Sequence, residues 1–425
     1  MTIEKNYIYN LIGLGLPLFA ALVTIPYLIL SLGAEKFGTL TLVWAILSYA
    51  GLLDLGLSKA ITYKISIFLS EDRTVKIPNF FKSASFLLVW CSVFVASILV
   101  AFSSHIATVL GSGFDTPLEA RLGIYCIALA IPFVTLTSIY RGVLEAKEFF
   151  LVINLIRIPM GLTTFIGPAA VAFFFGADLL LVVIVLVLTR ITFYVVHRII
   201  VRYLVVEIKN PSGNDWAELR SALRVGGWMT LTNIVSSLMG YIDRFVLALT
   251  VGNAAVAHYV TPQEITTKLW IIPAAITATI FPIFSKAGIS GSANVKLFWR
   301  SLLLIFIPLF PIVLVLYIFA YEIMGLWISA EFSEFSAPVL QVLVIGIFIN
   351  CFSHVPFTHL QGIGKARLTA IVQLVQLPLF VVTLYFLSNT FGVIGVAYAV
   401  LIRTSIDFIL LFSLSFFFLS SKLER

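Results

Sequence analysis

Charge is scarce in this sequence. Asp, Glu, Lys and Arg make up 11% of its 425 residues, 60% are hydrophobic, and the mean hydropathy is +1.08. So few polar groups cannot cover the apolar surface of a water-soluble chain of this length, which excludes a soluble globular protein. Cysteine is scarce as well. Cys91, Cys126 and Cys351 stand far apart in apolar stretches, so neither a disulfide framework nor a thiolate metal site follows. The histidines show no i, i+4 metal pair; His354 and His359 are five apart, off one helical face. The patterns GxxxxGKS/T, HExxH and GxSxG are absent. An ATP-driven pump would need a nucleotide domain that these residues do not supply. No catalytic residue and no metal ligand is assigned.

Long apolar runs fill the sequence instead. Lipid offers no hydrogen-bond partner to an open backbone, so spans of this kind must be helices. About twelve are expected, at 8–31, 39–63, 82–102, 121–141, 150–175, 178–200, 224–250, 255–284, 299–320, 336–360, 368–388 and 393–419. The opening "MTIEKNYIYN" has one Lys against one Glu and no small-residue cleavage site follows, so the first run reads as a retained helix.

With the N-terminus in the cytoplasm, nineteen basic residues fall in cytoplasmic segments and only Lys36 and Arg121 in outer ones. This positive-inside bias places both termini in the cytoplasm. It also accounts for most of the formal net charge of +7, which points to topology and not to nucleic acid. The outer loops are short and leave little room for an outward-facing catalytic domain.

A shift of 219 residues lays "LGAEKFGTL" (32–40) over "VGNAAVAHY" (251–259), pairing Gly33 with Gly252, and "INLIRIP" (153–159) over "VQLVQLP" (372–378). Six spans per half is even, so the halves share one orientation, as in transporters built from parallel repeats with the cargo site between them. The expected lobes are 1–200 and 224–425, joined by a cytoplasmic linker at 201–223. In that linker Asp215 and Glu218 have the spacing of a capping box, and a short interfacial helix is expected, with Trp216 and Trp228 at headgroup level.

Six basic residues lie inside the expected spans: Lys59, Arg157, Arg190, Arg244, Lys268 and Arg403. Four acids join them: Asp54, Asp243, Glu264 and Asp407. Each charge costs roughly 2.5–3.5 kcal/mol at a helix centre on insertion scales, so the central ones should face the bundle, pair, or line a wet cavity. Glu264 with Lys268 and Arg403 with Asp407 are i, i+4 pairs; only the first has the better acid-first order. Arg157 and Lys59 lie near the cytoplasmic end, where they can snorkel to headgroups. Arg190 is mid-span. The excess of basic over acidic groups inside the membrane favours an anionic cargo, and arginine's fork suits phosphate.

The stretch "LGAEKFGTLTLVWAILSYAGLLDLGLSKAITYKIS" (32–66) resembles the first two spans of the Wzx-type polysaccharide flippases, or O-antigen transporters. The family's outer turn, Gly-x-x-x-Phe/Tyr-Gly, is matched by Gly33, Phe37 and Gly38. Its Asp-x-Gly followed by small and basic residues is matched by Asp54, Gly56, Lys59 and Lys64. Residues 241–259 and 271–286 resemble the seventh and eighth spans. The family belongs to the multidrug/oligosaccharidyl-lipid/polysaccharide exporter superfamily. The resemblance implies two six-helix lobes around a central, cationic cavity. It further implies transfer of an undecaprenyl-diphosphate-linked oligosaccharide from the cytoplasmic to the outer leaflet of a bacterial inner membrane. The basic residues above become cavity candidates, with Asp54 and Lys59 at its cytoplasmic mouth. The acids become candidates for gating or for coupling to H⁺ or Na⁺. No cofactor is expected. Expected partners are the sugar-lipid, membrane lipids, and the polymerase and chain-length proteins of the same pathway.

A drug or organic-ion antiporter of the same superfamily is the alternative, but its cation cargo favours an acid-rich cavity. A major-facilitator transporter lacks its glycine-patterned loop here. A membrane polysaccharide polymerase or an acyltransferase would need an outer-face site or clustered acid, base and histidine groups.

Overall fold

The computed structural model describes residues 3–52, 57–110, 113–205, 208, 211–284 and 291–420, and every regular element among them is helical. The N-terminal unit, Met1–Thr230, contains α1 (Ile3–Leu52), α2 (Leu57–Ser70), α3 (Ile77–Ala101), α4 (Ser103–Leu110), α5 (Pro117–Ala146), α6 (Phe150–Phe175) and α7 (Leu179–Leu204). The C-terminal unit is Leu231–Arg425; α8 (Trp216–Met239) starts before that boundary and ends after it. Then follow α9 (Ile242–Thr250), α10 (Asn253–Thr267), α11 (Ile271–Phe284), α12 (Gly291–Ile318), α13 (Ala320–Trp327), α14 (Ala330–Gly362) and α15 (Ala366–Ser420).

Both units run through one succession. A long apolar helix (α3, α12) leads into an eight-residue helix (α4, α13) and then a capped central helix (α5, α14). The caps are equivalent: Thr116 Oγ1 accepts the Glu119 N–H at 3.2 Å, and Ser329 Oγ accepts the Phe332 N–H at 3.2 Å. Half of the most apolar stretch of α5, and half of that of α14, is buried, against 17% for α3. Each unit therefore wraps its other helices around one core helix.

The turns repeat too. Gly33 (φ 80°, ψ 160°) and Gly252 (φ 115°, ψ 170°) occupy a region open in practice to glycine alone. Gly176 (φ 79°, ψ −161°) matches Gly392 (φ 62°, ψ −135°), and Glu148 (φ 57°) matches Gly364 (φ 79°). The positive φ at Gly33 divides α1 into two helices, and that at Gly392 divides α15.

Eight helical stretches among the described residues are long and apolar enough to cross a membrane. Two of them, Phe19–Gly51 and Ala366–Leu419, contain the Gly33 and Gly392 breaks. The expected span 224–250 is interrupted between α8 and α9 at Gly240 and Tyr241. The expected span 255–284 is interrupted by a 3₁₀ turn at Lys268–Trp270. Pro273 follows that turn; it has no N–H for the residue 269 carbonyl and crowds it, which disfavours an unbroken α-helix. Among the described residues no separate interfacial helix precedes α8, which begins at Trp216 and runs on to Met239. The Trp228 side chain lies outside the described residues.

In lipid, close packing and interhelical hydrogen bonds hold helices together. The α2–α5 contact shows how. Ser58 Oγ donates to the Ser138 carbonyl at 2.9 Å and Thr62 Oγ1 to the Gly142 carbonyl at 3.1 Å. A Cβ on Gly142 would meet the Ser58 carbonyl oxygen at 2.7 Å, so only glycine permits this approach. Below it Ile61, Phe68, Phe80, Leu88, Val143 and Val201 form a buried apolar cluster.

Candidate functional site

Four charged residues of the C-terminal unit, two of them buried, form one chain of hydrogen bonds and ion pairs across α9, α10 and the 3₁₀ turn. Asp243 and Arg244 open α9 and are 2% and 5% exposed. The Tyr259 hydroxyl, fully buried on α10, donates to Asp243 Oδ2. Gln263, one helical turn further along, donates from Nε2 to the same oxygen at 3.0 Å. Its Oε1 accepts from Arg244 Nη2 at 3.0 Å and from Nε at 3.3 Å. Arg244 Nη2 also lies 3.6 Å from Glu264 Oε1, and Lys268 Nζ donates to Glu264 Oε2 at 3.0 Å. The Tyr241 ring sits beneath the Arg244 guanidinium, 5.0 Å from its centroid. Two carboxylates and two cations balance, so this chain is formally neutral.

Arg403 and Asp407, both half-buried on α15, behave differently. No ion pair within 4.0 Å joins them. The Arg403 guanidinium lies over the Phe380 ring, 4.9 Å from its centroid, and Nη1 reaches Met239 Sδ at 3.9 Å. Its Nε is buried with no hydrogen-bond partner. An arginine preceding its acid by four residues has the less favoured order, and an aromatic face competes for the guanidinium.

In the N-terminal unit, Arg190 lies midway along α7, half-buried. Its Nε is buried without a partner, and it makes no ion pair among the described residues. Arg157 on α6 is half-buried, close enough to Arg141 and Glu145 of α5 for both charges to act on it. Arg141 Nε and Glu145 Oε1 are 3.6 Å apart. Asp54 and the Lys59 side chain lie outside the described residues.

Thus Asp243, Arg244, Glu264 and Lys268 come together, while Arg157 and Arg190 belong to the N-terminal unit. Tyr259 and Gln263, which join Asp243 to Arg244, were not among the sequence candidates; their i, i+4 spacing was the available signal. A second missed feature is Glu218. Its backbone N–H donates to Asp215 Oδ1 at 3.1 Å, one half of the expected capping box. The other half is absent, because the Asp215 N–H goes to Ser83 Oγ at 2.7 Å. The Glu218 carboxylate instead receives Lys64 at 2.8 Å, Lys76 at 2.9 Å and Arg73 at 3.3 Å. Hydrogen bonds from Lys64 and then Lys76 hold its carboxyl down at about 2. Among the described residues no cluster of three His, Cys, Asp or Glu side chains could hold a metal ion.

Comparison with known proteins places the chain. Residues 3–288 match the model of the family described as "Polysaccharide biosynthesis protein". The chain is 32% identical over 416 residues to a putative O-antigen transporter of Shigella flexneri, covering 97% of each. A putative O-antigen transporter of Salmonella typhi is 19% identical over 91% of this chain and 89% of its own length. Among solved structures, an inward-facing MATE-family multidrug resistance transporter of the MOP superfamily superposes with a TM-score of 0.80 at 16% identity, over 98% of this chain and 99% of the other. The inward closed form of the lipid II flippase MurJ gives 0.76 at 14% identity, over 97% and 87%. The chain is therefore a member of the polysaccharide biosynthesis protein family, built on the two-lobed fold of MOP-superfamily transporters.

Proposed function

We propose that this membrane protein is a flippase. Its cargo is an undecaprenyl-diphosphate-linked oligosaccharide, an O-antigen or similar surface-polysaccharide repeat unit. It carries the cargo from the cytoplasmic to the outer leaflet of a bacterial inner membrane by alternating access. In this reading the lobes 1–200 and 224–425 comprise twelve spans, with both termini cytoplasmic. The observation that carries it is the 32% identity, over 97% of both chains, to a putative O-antigen transporter.

The geometry supports an anionic headgroup. A buried guanidinium nitrogen without a partner is costly. The N-terminal unit has two, Arg141 Nε and Arg190 Nε, and the C-terminal unit has Arg403 Nε; Arg141 has Glu145 3.6 Å away, whereas Arg190 and Arg403 make no ion pair among the described residues. A phosphate oxygen supplies the missing acceptor, and arginine binds it through paired hydrogen bonds. Rocking of the lobes would re-expose the headgroup on the other side while the lipid tail stays in the bilayer. H⁺ or Na⁺ coupling through Asp54, Asp243, Glu264 or Asp407 belongs to the same proposal. So do the polymerase and chain-length proteins as pathway partners.

The test is deletion of the gene followed by location of the lipid-linked repeat units. Accumulation on the cytoplasmic leaflet is expected, restored to export by the wild-type gene and not by an Arg190→Gln, Arg403→Gln double variant. Normal translocation with unjoined units on the outer face would overturn the flippase reading in favour of a polymerase. Loss of drug efflux with normal sugar-lipid translocation would favour an antiporter.

A further inference from the structure

The N-terminal unit carries a groove of about 700 Å³ against α3, α5 and α7. Its α3 wall is one face of that helix: Lys82, Ser85, Phe86, Val89 and Trp90 follow an i, i+3, i+4, i+7, i+8 spacing. Across from it stand Tyr140 of α5 and Arg202 near the end of α7. The groove is polar at one end and apolar along the rest. Lys82 and Arg202 are both exposed, and neither makes an ion pair or hydrogen bond among the described residues. About 12 Å further along α3, at 1.5 Å per residue, Trp90 is 60% exposed. Phe86 packs edge-on against both Trp90 and Trp216, at 6.1 and 5.9 Å.

We propose that this groove holds one molecule of an anionic glycerophospholipid from the surrounding bilayer, its phosphate between Lys82 and Arg202 and an acyl chain along Phe86 and Trp90. Three observations select this occupant. First, α3 lies in a stretch with a hydropathy of 2.4 whose most apolar part is only 17% buried, so its outer face meets lipid. Second, two unpaired cations at one end of the groove, beside the aromatic rings of Phe86, Trp90 and Trp216, complement a phosphodiester. Third, the polar side chains lining the groove are few: Lys82, Ser85, Tyr140 and Arg202. An oligosaccharide presents many hydroxyls and would find too few partners there. The proposal is independent of what the protein transports.

The experiment uses the full chain in nanodiscs of equal parts phosphatidylglycerol and phosphatidylethanolamine, with retained lipids counted by native mass spectrometry. Wild type should retain one phosphatidylglycerol in preference to phosphatidylethanolamine. One cation near a lipid phosphate contributes about fivefold in affinity, so the Lys82→Gln, Arg202→Gln double variant should weaken that retention about thirtyfold. Both side chains are exposed, so the fold should survive their exchange. A Ser85→Trp variant, which fills the groove and keeps both cations, should lose the bound lipid as well. Equal retention of the two lipids by wild type, or unchanged retention in either variant, would overturn the proposal. So would displacement of phosphatidylglycerol by a diphosphate-linked sugar lipid whose own binding the double variant abolishes, because the groove would then be a cargo site.

Discussion

Replacing Glu218 by Gln should loosen the start of α8 from α2 and the turn that leads into α3, and the loss should depend on pH. The carboxylate is 17% exposed and meets Lys64 at 2.8 Å, Lys76 at 2.9 Å and Arg73 at 3.3 Å. A carboxyl lowered from 4.5 to about 2 corresponds to at most about 3 kcal/mol. That figure needs discounting, because the Lys76 and Arg73 side chains are 41% and 43% exposed and solvent screens them. Exposed pairs contribute about 0.2–1 kcal/mol each, and Lys64, 12% exposed, should contribute most; the sum is about 2 kcal/mol. For a unit of this size that lowers the thermal midpoint by roughly 4–8 °C. The folded-state value lies below the unfolded one, so the contribution is complete above pH 4.5 and fades as pH falls toward 2. A thiol-reactive dye reports unfolding through the three free cysteines, Cys91, Cys126 and Cys351. The wild-type advantage over Glu218→Gln should be full at pH 7, shrink below pH 4.5, and weaken in high salt. A Lys64→Met, Glu218→Gln cycle should return about 1 kcal/mol of coupling. An equal midpoint at pH 7, or a difference that stays constant down to pH 3, would refute the assignment of Glu218 as an ionic tether.

Gln263→Leu should cost about 1–3 kcal/mol, because it removes hydrogen bonds from buried Asp243 and Arg244, which keep Tyr259 and Glu264 respectively; a Gln263→Asn variant of equal cost would show that reach matters as much as polarity. Gly33→Ala and Gly252→Ala should each cost about 1–3 kcal/mol although open space surrounds both Cβ positions, since the cost is backbone strain. Glu148→Gly should be neutral or stabilising by up to about 1 kcal/mol, relieving the same strain; thermal unfolding measures all three. Arg190→Leu should raise the thermal midpoint by removing an unsatisfied buried nitrogen, yet abolish sugar-lipid translocation in a complementation assay.

Much of this architecture is legible because lipid leaves a chain few choices. Backbone groups must be satisfied internally, so apolar runs become helices, and turns with φ above zero select glycine. Gly33 and Gly252, aligned by sequence shift alone, share one backbone conformation for that reason. The match of Glu148 with Gly364 was hidden, since a residue other than glycine holds the strained turn. Side-chain chemistry is legible only along one helix. Glu264 and Lys268 meet as their spacing suggests, at 3.0 Å. Arg403 and Asp407 have the same spacing, but Phe380 comes from a distant part of α15 and takes the guanidinium. Gln263 becomes the centre of a charged chain only when α9 packs beside α10. Glu218 looked like a helix cap; its cation partners lie 142 to 154 residues away and no local pattern announces them.

Arg190 also bears on how the protein is made. The translocon must pass α7 sideways into lipid with that guanidinium near its middle. Fourteen of the eighteen residues from Leu179 to Val196 are Leu, Val, Ile or Phe. At roughly 0.3–0.6 kcal/mol each they favour partitioning by about 4–8 kcal/mol, enough to outweigh one arginine at about 3 kcal/mol. The aliphatic density of this helix is therefore what lets a lone cation be delivered to the membrane interior during synthesis, with no counter-ion travelling beside it.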